Sequence, residues 1–245
     1  MNFELVVHDE KSYQEFVKFL KSVSKQETIE DRKRHIAILR TNQEVIGIAM
    51  ETIRKIAKGL LKSSGESFLK IAKNKTFQNQ YYEETLIEGI VIAGLKNVSD
   101  QIEHFKTWVY KIDNWSTCDS VVSSLKVLKT KPEEYYEFFK KLCFSESEFV
   151  ARFGIVTLMT IYLNELHIDD ILNICKSIKS EFFYVNMAIS WLLSFAYVKF
   201  KDKTLKLFKQ KCLSKFVQNK AISKCRDSFR VSKEDKEILK EYKIK

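Results

Sequence analysis

Proline occurs once in this 245-residue chain, as Pro132, and glycine only six times. A many-stranded fold needs turn residues at each reversal, and too few are present to supply them. No run approaches the roughly 20 apolar residues that a membrane span requires. The N-terminus, MNFELVVHDEK, is too acidic and too short in apolar residues for a signal peptide. The five cysteines (Cys118, Cys143, Cys175, Cys212, Cys225) are widely spaced with no CxxC pair. Reduced thiols in a reducing, cytosolic compartment are therefore expected. The four histidines are scattered, and HExxH, Walker and dinucleotide-binding motifs are all missing. Neither a metal nor a nucleotide cofactor is expected.

What is present is a helix-forming composition rich in Lys, Leu, Ile and Glu, with a hydrophobic share of 45% that argues against disorder. The fold class read from it is all-α. A formal charge of +10 arises from an excess of lysine. It fits a polyanion partner, an anionic membrane surface, or a lysine bias without function, and charge alone does not choose among them.

Apolar residues recur at helical spacing almost throughout. Helices are expected near 10–24, 28–39, 50–62, 67–74, 79–96, 100–110, 115–128, 132–144, 146–164, 169–178, 182–199, 203–212, 216–229 and 233–243, with a helix-poor stretch at 40–49. Thr28 with Asp31, Ser145 with Glu148, and Ser232 with Asp235 have capping spacing, and Pro132 suits a first helical turn. No linker or composition break appears, so a single domain over 1–245 is expected. The helices come in pairs. Trp115, Arg152 and Trp191, marked on alternate helices, lie 37 and 39 residues apart, near the two-helix period of HEAT-like repeats. Such pairs stack into a curved solenoid whose second helices line a concave face. Trp115, Asp119, Arg152 and Trp191 would converge there.

Trp115 and Asp119 are four residues apart in IDNWSTCDS (112–120), which puts an indole and a carboxylate on one helix face. Read alone, Trp115 and Trp191 would be core aromatics, and Asp119 a solvated acid favoured by the helix dipole. Arg152, one of seven arginines, sits among Phe149, Val150, Phe153 and Val156. Its planar fork suits a phosphate or a carboxylate. Cys118 has no histidine in its segment and reads as a core thiol.

IDNWSTCDS together with EFVARFGIV (148–156), FFYVNMAISWLLSFAYVKF (182–200) and NKAISKCRDSFRVS (219–232) resembles the AlkD-type DNA alkylation repair proteins, HEAT-like-repeat glycosylases that remove cationic alkylpurines. The resemblance covers about residues 45–240, in the family's order and spacing. It implies that Trp115 and Trp191 are active-site tryptophans, Asp119 the catalytic carboxylate and Arg152 the arginine beside it. It also implies a C-shaped solenoid gripping duplex DNA in its concave face. Lys220, Lys224, Arg226 and Arg230, with Arg54 and Lys58, are the expected DNA-backbone contacts, whereas the lysine run 201–211 reads as a solvated convex face. One departure stands out. The family's Gly-x-Arg/Lys-x-Pro before Arg-x-x-Ala-Lys appears here as GIAMETIRKIAK, which keeps Gly47, Arg54, Ala57 and Lys58 but lacks the proline and the basic residue before it.

The chemistry implied is economical. A 3- or 7-alkylated purine already carries positive charge and leaves with little or no protonation. The barrier lies in oxocarbenium character on the sugar, which a carboxylate and electron-rich indole faces stabilise. Asp119 could also orient or deprotonate water. The expectation is a monomeric, monofunctional glycosylase without cofactor, acting on 7-methylguanine and 3-methyladenine in double-stranded DNA. Two alternatives are a non-catalytic DNA-binding relative and a protein-binding solenoid unrelated to DNA.

Overall fold

The computed structural model describes residues 5–24, 29–130 and 133–245, and every regular element in them is helical. The expectation of an all-α chain holds. Two compact units follow one another, 1–131 and 132–245.

The first unit contains α1 (Glu10–Ser22), α2 (Ile29–Leu39), α3 (Met50–Ser63), α4 (Gly65–Ala72), α5 (Tyr82–Gly94), α6 (Val98–Trp108) and α7 (Trp115–Ser124). α5 packs between α3 and α7, with α4 and α6 also against it. It is enclosed on all sides, from Tyr82 to Ala93, so that even its polar residues are buried. Gly89 is required for this packing: a Cβ there would stand 2.2 Å from the Trp108 ring and 2.6 Å from Val121. The indole N–H of Trp108 donates to the Thr85 carbonyl at 3.0 Å.

Three glutamates of α5 are buried, and each has partners that come from far along the chain. Glu83 accepts the backbone N–H groups of Ile46 (2.9 Å), Gly47 (2.7 Å) and Ile48 (3.3 Å). Glu84 accepts the Tyr13 hydroxyl at 2.7 Å. Glu88 pairs with the Lys111 ammonium at 2.9 Å. Burial pushes all three carboxyls above the ordinary glutamate range, opposed by these same partners. The stretch between α2 and α3 is thus held by a side chain rather than by a sheet. Gly47 takes φ 90° there, a value open to glycine.

The second unit contains α8 (Tyr136–Leu142), α9 (Glu148–Thr157), α10 (Ile168–Ser177), α11 (Phe183–Lys199), α12 (Lys201–Gln210), α13 (Lys215–Asp227) and α14 (Lys233–Lys240). α11 packs between α9 and α13, repeating the arrangement around α5. Gly154 gives α8 and α9 their close approach, since a Cβ would meet the Cys143 nitrogen at 2.7 Å.

Several expectations need adjusting. α3, α5, α7, α9, α11 and α13 begin at Met50, Tyr82, Trp115, Glu148, Phe183 and Lys215, steps of 32 to 35 residues rather than about 40. The longer estimate arose because Trp115, Arg152 and Trp191 are the first, fifth and ninth residues of their helices, each one turn further along. The helix expected over 146–164 is α9 followed by a π-helical turn, Leu158–Tyr162. Ser232 caps α14 by accepting from Asp235 N–H at 3.1 Å. Ser145 does not cap α9: the cap position is Ser147, whose side chain makes no capping bond. Glu148 is engaged elsewhere, accepting the Tyr184 N–H of α11 at 2.7 Å. Thr28 and Pro132 lie outside the described residues.

Candidate functional site

In the first unit the candidate residues gather at the N-terminus of α7. Asn114 caps this helix, its side-chain oxygen accepting Thr117 N–H at 2.9 Å. Trp115 is therefore fixed as the first helical residue. It is half-buried, and its indole N–H donates to the Ile38 carbonyl at the end of α2 (3.2 Å). A tryptophan shielded on one side and held by its ring nitrogen is set in orientation, unlike a core residue packed all round. Asp113, just before the cap, accepts the Thr41 hydroxyl at 2.9 Å and the Asn42 N–H at 2.6 Å. Tyr82 and Ser116 share a 2.9 Å hydroxyl contact. The start of α7 is thus tied to the end of α2 and the stretch after it at Ile38, Thr41 and Asn42, and to α5 at Tyr82.

Asp119 lies one turn beyond Trp115 and is half-exposed, so the carboxylate is neither entombed nor fully in solvent. Cys118 beside it is fully buried, as expected of a core thiol. Arg54 of α3 is exposed and reaches the far end of α7, donating to Ser124 Oγ at 3.0 Å and Ser123 Oγ at 3.4 Å. Lys58, one turn on, is exposed as well. A cavity of about 410 Å³, lined in part by Gly47, Met50, Tyr82 and Ser116, opens beside the first turns of α3 and α7.

In the second unit Arg152 is only 6% exposed. Its guanidinium donates to the Tyr184 carbonyl at 3.1 Å and lies 5.8 Å from the Tyr184 ring. Its apolar neighbours in sequence, Phe149, Val150, Phe153 and Val156, are buried with it. Trp191 is half-buried, edge-on to Phe195 at 5.9 Å. With Lys224, Asp227 and Arg230 it lines a cavity of about 340 Å³.

Lys224 is influenced by its neighbours. Burial lowers its pKa first, then the Lys220 and Arg152 cations, while Asp227 opposes them. Two of the four basic residues expected along 219–232 therefore line the Trp191 cavity, and Lys220 stands within electrostatic reach. Arg226 does not join them. It is two residues from Lys224, hence on the other side of α13, and it acts on Glu237 of α14. The lysines of α12 are exposed, and two form ion pairs, Lys201 with Asp235 and Lys203 with Asp169.

The reading from sequence missed Tyr184, Asp113, Glu83 and Glu148, which orient the site's residues or the segments next to them. Asp113, Glu148 and Tyr184 carried a signal in lying inside the stretches 112–120, 148–156 and 182–200, whereas Glu83 lies in none of them.

The first unit thus presents an acid and an oriented indole on α7, and the second a half-buried tryptophan on α11 beside the cations Lys224 of α13 and Arg230 just past it. The family model of the DNA alkylation repair enzymes matches residues 16–224. The chain belongs to that family. No curated protein and no solved structure gives a significant match to it. The match includes Trp115, Asp119, Arg152 and Trp191, and it supports DNA as the partner of this repair enzyme. Among the described residues no helix is long and apolar enough to cross a membrane.

Proposed function

We propose that this repair enzyme is a DNA glycosylase that hydrolyses the N-glycosidic bond of cationic alkylated purines, 7-methylguanine and 3-methyladenine, in double-stranded DNA. The observation that carries the reading is the family match over 16–224, a span within which Trp115, Asp119, Arg152 and Trp191 all lie. In this reaction the departing base takes the bonding electrons and becomes neutral, so no acid is needed to protonate it. The Asp119 carboxylate stabilises the cation growing on the sugar and directs a water to C1′. The π faces of Trp115 and Trp191 each favour that cation by roughly 0.5–2 kcal/mol. Arg152, held at a buried edge by the Tyr184 carbonyl, adds a fixed positive charge that favours a nearby backbone phosphate. Lys220, Lys224 and Arg230, with Arg54 and Lys58, add sequence-independent phosphate contacts, which make affinity fall with salt. Stacked HEAT-like helix pairs would supply the DNA-gripping face.

A second reading, a relative that binds DNA without excision, is favoured by the missing proline and basic residue in GIAMETIRKIAK. Release of 7-methylguanine from methylated duplex separates the two. Wild type is expected to release it, and Asp119→Asn to lose about 10²–10³-fold in rate while still binding duplex. A wild-type protein that binds duplex and releases nothing refutes the glycosylase reading. An Asp119→Asn variant with full activity refutes the assignment of the carboxylate.

A further inference from the structure

The cavity beside Trp191 sets Lys224, which base excision uses only as a phosphate contact, beside a carboxylate that it does not require. Lys224 and Asp227 are three residues apart on α13, which sets an amine and a carboxylate on one helix face. Both line the cavity, with Trp191 across from α11 and Arg230 just past the end of α13. At about 340 Å³ the cavity is at the small end for ligand pockets, which span roughly 300–1,000 Å³. That volume suits a sugar better than a whole nucleotide.

We propose that the Lys224 amine condenses with the ring-opened aldehyde of an abasic deoxyribose in this cavity, giving the enzyme a strand-cleaving activity in addition to base removal. This rests on the reading of the chain as a glycosylase that leaves an abasic sugar, and it departs from the monofunctional activity expected from sequence by adding a step after the hydrolytic one. The Nζ lone pair attacks C1′, the carbinolamine loses water, and a protonated imine forms. Asp227 takes a proton from C2′, the C3′–O bond breaks, and the 3′ phosphate leaves with the electron pair. Water then hydrolyses the imine, returning the amine and an unsaturated aldehyde on the DNA end. One water is released and one consumed, and nothing is oxidised or reduced.

The surroundings favour each role. A lysine attacks only as the neutral amine, and partial burial with the cations of Lys220 and Arg152 nearby enlarges that fraction. Arg230, exposed at the cavity edge, can hold a flanking phosphate. Trp191 offers a face to the iminium cation.

The test uses duplex DNA with one preformed abasic site, borohydride to reduce the imine, and saturating protein in a single turnover. Wild type is expected to give a covalent protein–DNA adduct that maps by mass spectrometry to Lys224. Lys224→Arg keeps the charge and is expected to lose at least about tenfold in trapping, with binding to the same duplex measured alongside. Lys206→Arg, on the exposed face of α12, is expected to trap like wild type. Trapping by wild type should rise at a pH below that of an ordinary lysine. The absence of a wild-type adduct, undiminished trapping by Lys224→Arg, or an adduct mapped to another lysine overturns the proposal. Release of 7-methylguanine, assayed on the same proteins, keeps the two readings apart. Release without trapping removes only the lyase, and trapping without release removes only the excision reading.

Discussion

Replacing Lys111 by methionine perturbs the molecule well away from the proposed chemistry, and its size can be worked from contacts. The Lys111 ammonium makes three bonds, to Glu88 at 2.9 and 3.2 Å and to the Ala72 carbonyl at 2.7 Å, which use all three of its donors. Both side chains are nearly inaccessible, 11% and 3% exposed. Methionine fills similar volume but strands a carboxylate inside the unit. Breaking a buried pair in this way costs about 3–5 kcal/mol. In a chain of this size 1 kcal/mol moves the melting temperature by roughly 2–4 °C, so a fall of about 6–20 °C is expected. The pH dependence has a definite sign. Burial already raises the Glu88 pKa, and Lys111 is the main group holding it down. Without Lys111 it rises further, so folded Glu88 binds a proton at a pH where the unfolded chain does not. Stability of the variant relative to wild type therefore recovers as pH falls from 7 towards 5. The double variant Lys111→Met/Glu88→Gln should recover most of the loss at pH 7. Thermal melts followed by circular dichroism read all of this. A loss below about 1 kcal/mol, or a deficit that grows as pH falls, refutes the account of a charge pair holding α5 to the turn that follows α6.

Two further predictions concern packing and charge. Gly89→Ala is expected to cost about 1–3 kcal/mol, read as a lower melting temperature, because the new methyl collides with Trp108 and Val121. It should also slow base release, since Val121 belongs to α7; a melt equal to wild type would show that α5 and α7 yield without cost. Lys220→Ala and Arg230→Ala should each weaken binding to undamaged duplex and flatten the dependence of log affinity on log salt by about one unit. Slopes unchanged from wild type in a fluorescence titration would remove those residues from the DNA contact.

The helices were legible because the signal for them is local. Apolar spacing and the scarcity of proline and glycine act within a turn or two, and the Ser232 cap needed only Asp235. Local signals failed where a side chain serves a distant segment. Glu148 has capping spacing from Ser145, yet its carboxylate is drawn to the Tyr184 N–H, 36 residues on, and α9 starts from an uncapped Ser147. YEETLIEG likewise reads as the polar start of a helix. The partners that let Glu83, Glu84 and Glu88 be buried lie on the 46–48 stretch, at Tyr13 and at Lys111, and no spacing rule reaches them. Trp115 and Asp119 could be paired by helical geometry alone. The bond from Trp115 to Ile38 spans 77 residues and could not be read from sequence.

The departure in GIAMETIRKIAK has a physical reading once its surroundings are known. Counting from Gly47, the family's proline position falls on Glu51 and its basic position on Ala49. Glu51 is the second residue of α3, where an acid is favoured by the helix dipole much as a proline is tolerated, and it pairs with Lys55 at 2.7 Å. The rigidity a proline would lend comes here from Glu83, which takes three successive N–H groups just before α3. Ala49 makes no side-chain cap, so the lost basic residue removes one positive charge without disturbing the start of the helix. Arg54 still leads from α3 to the end of α7. The departure therefore bears on how strongly this stretch attracts DNA and leaves the placement of Trp115 and Asp119 unchanged. Restoring the charge with Ala49→Lys should accordingly raise duplex affinity at low salt by a few-fold, the yield of one added phosphate contact, without shifting the melting temperature. Unchanged affinity would mean that this stretch stays clear of the backbone, and a lower melt would mean that Ala49 is packed more closely than its place before α3 implies.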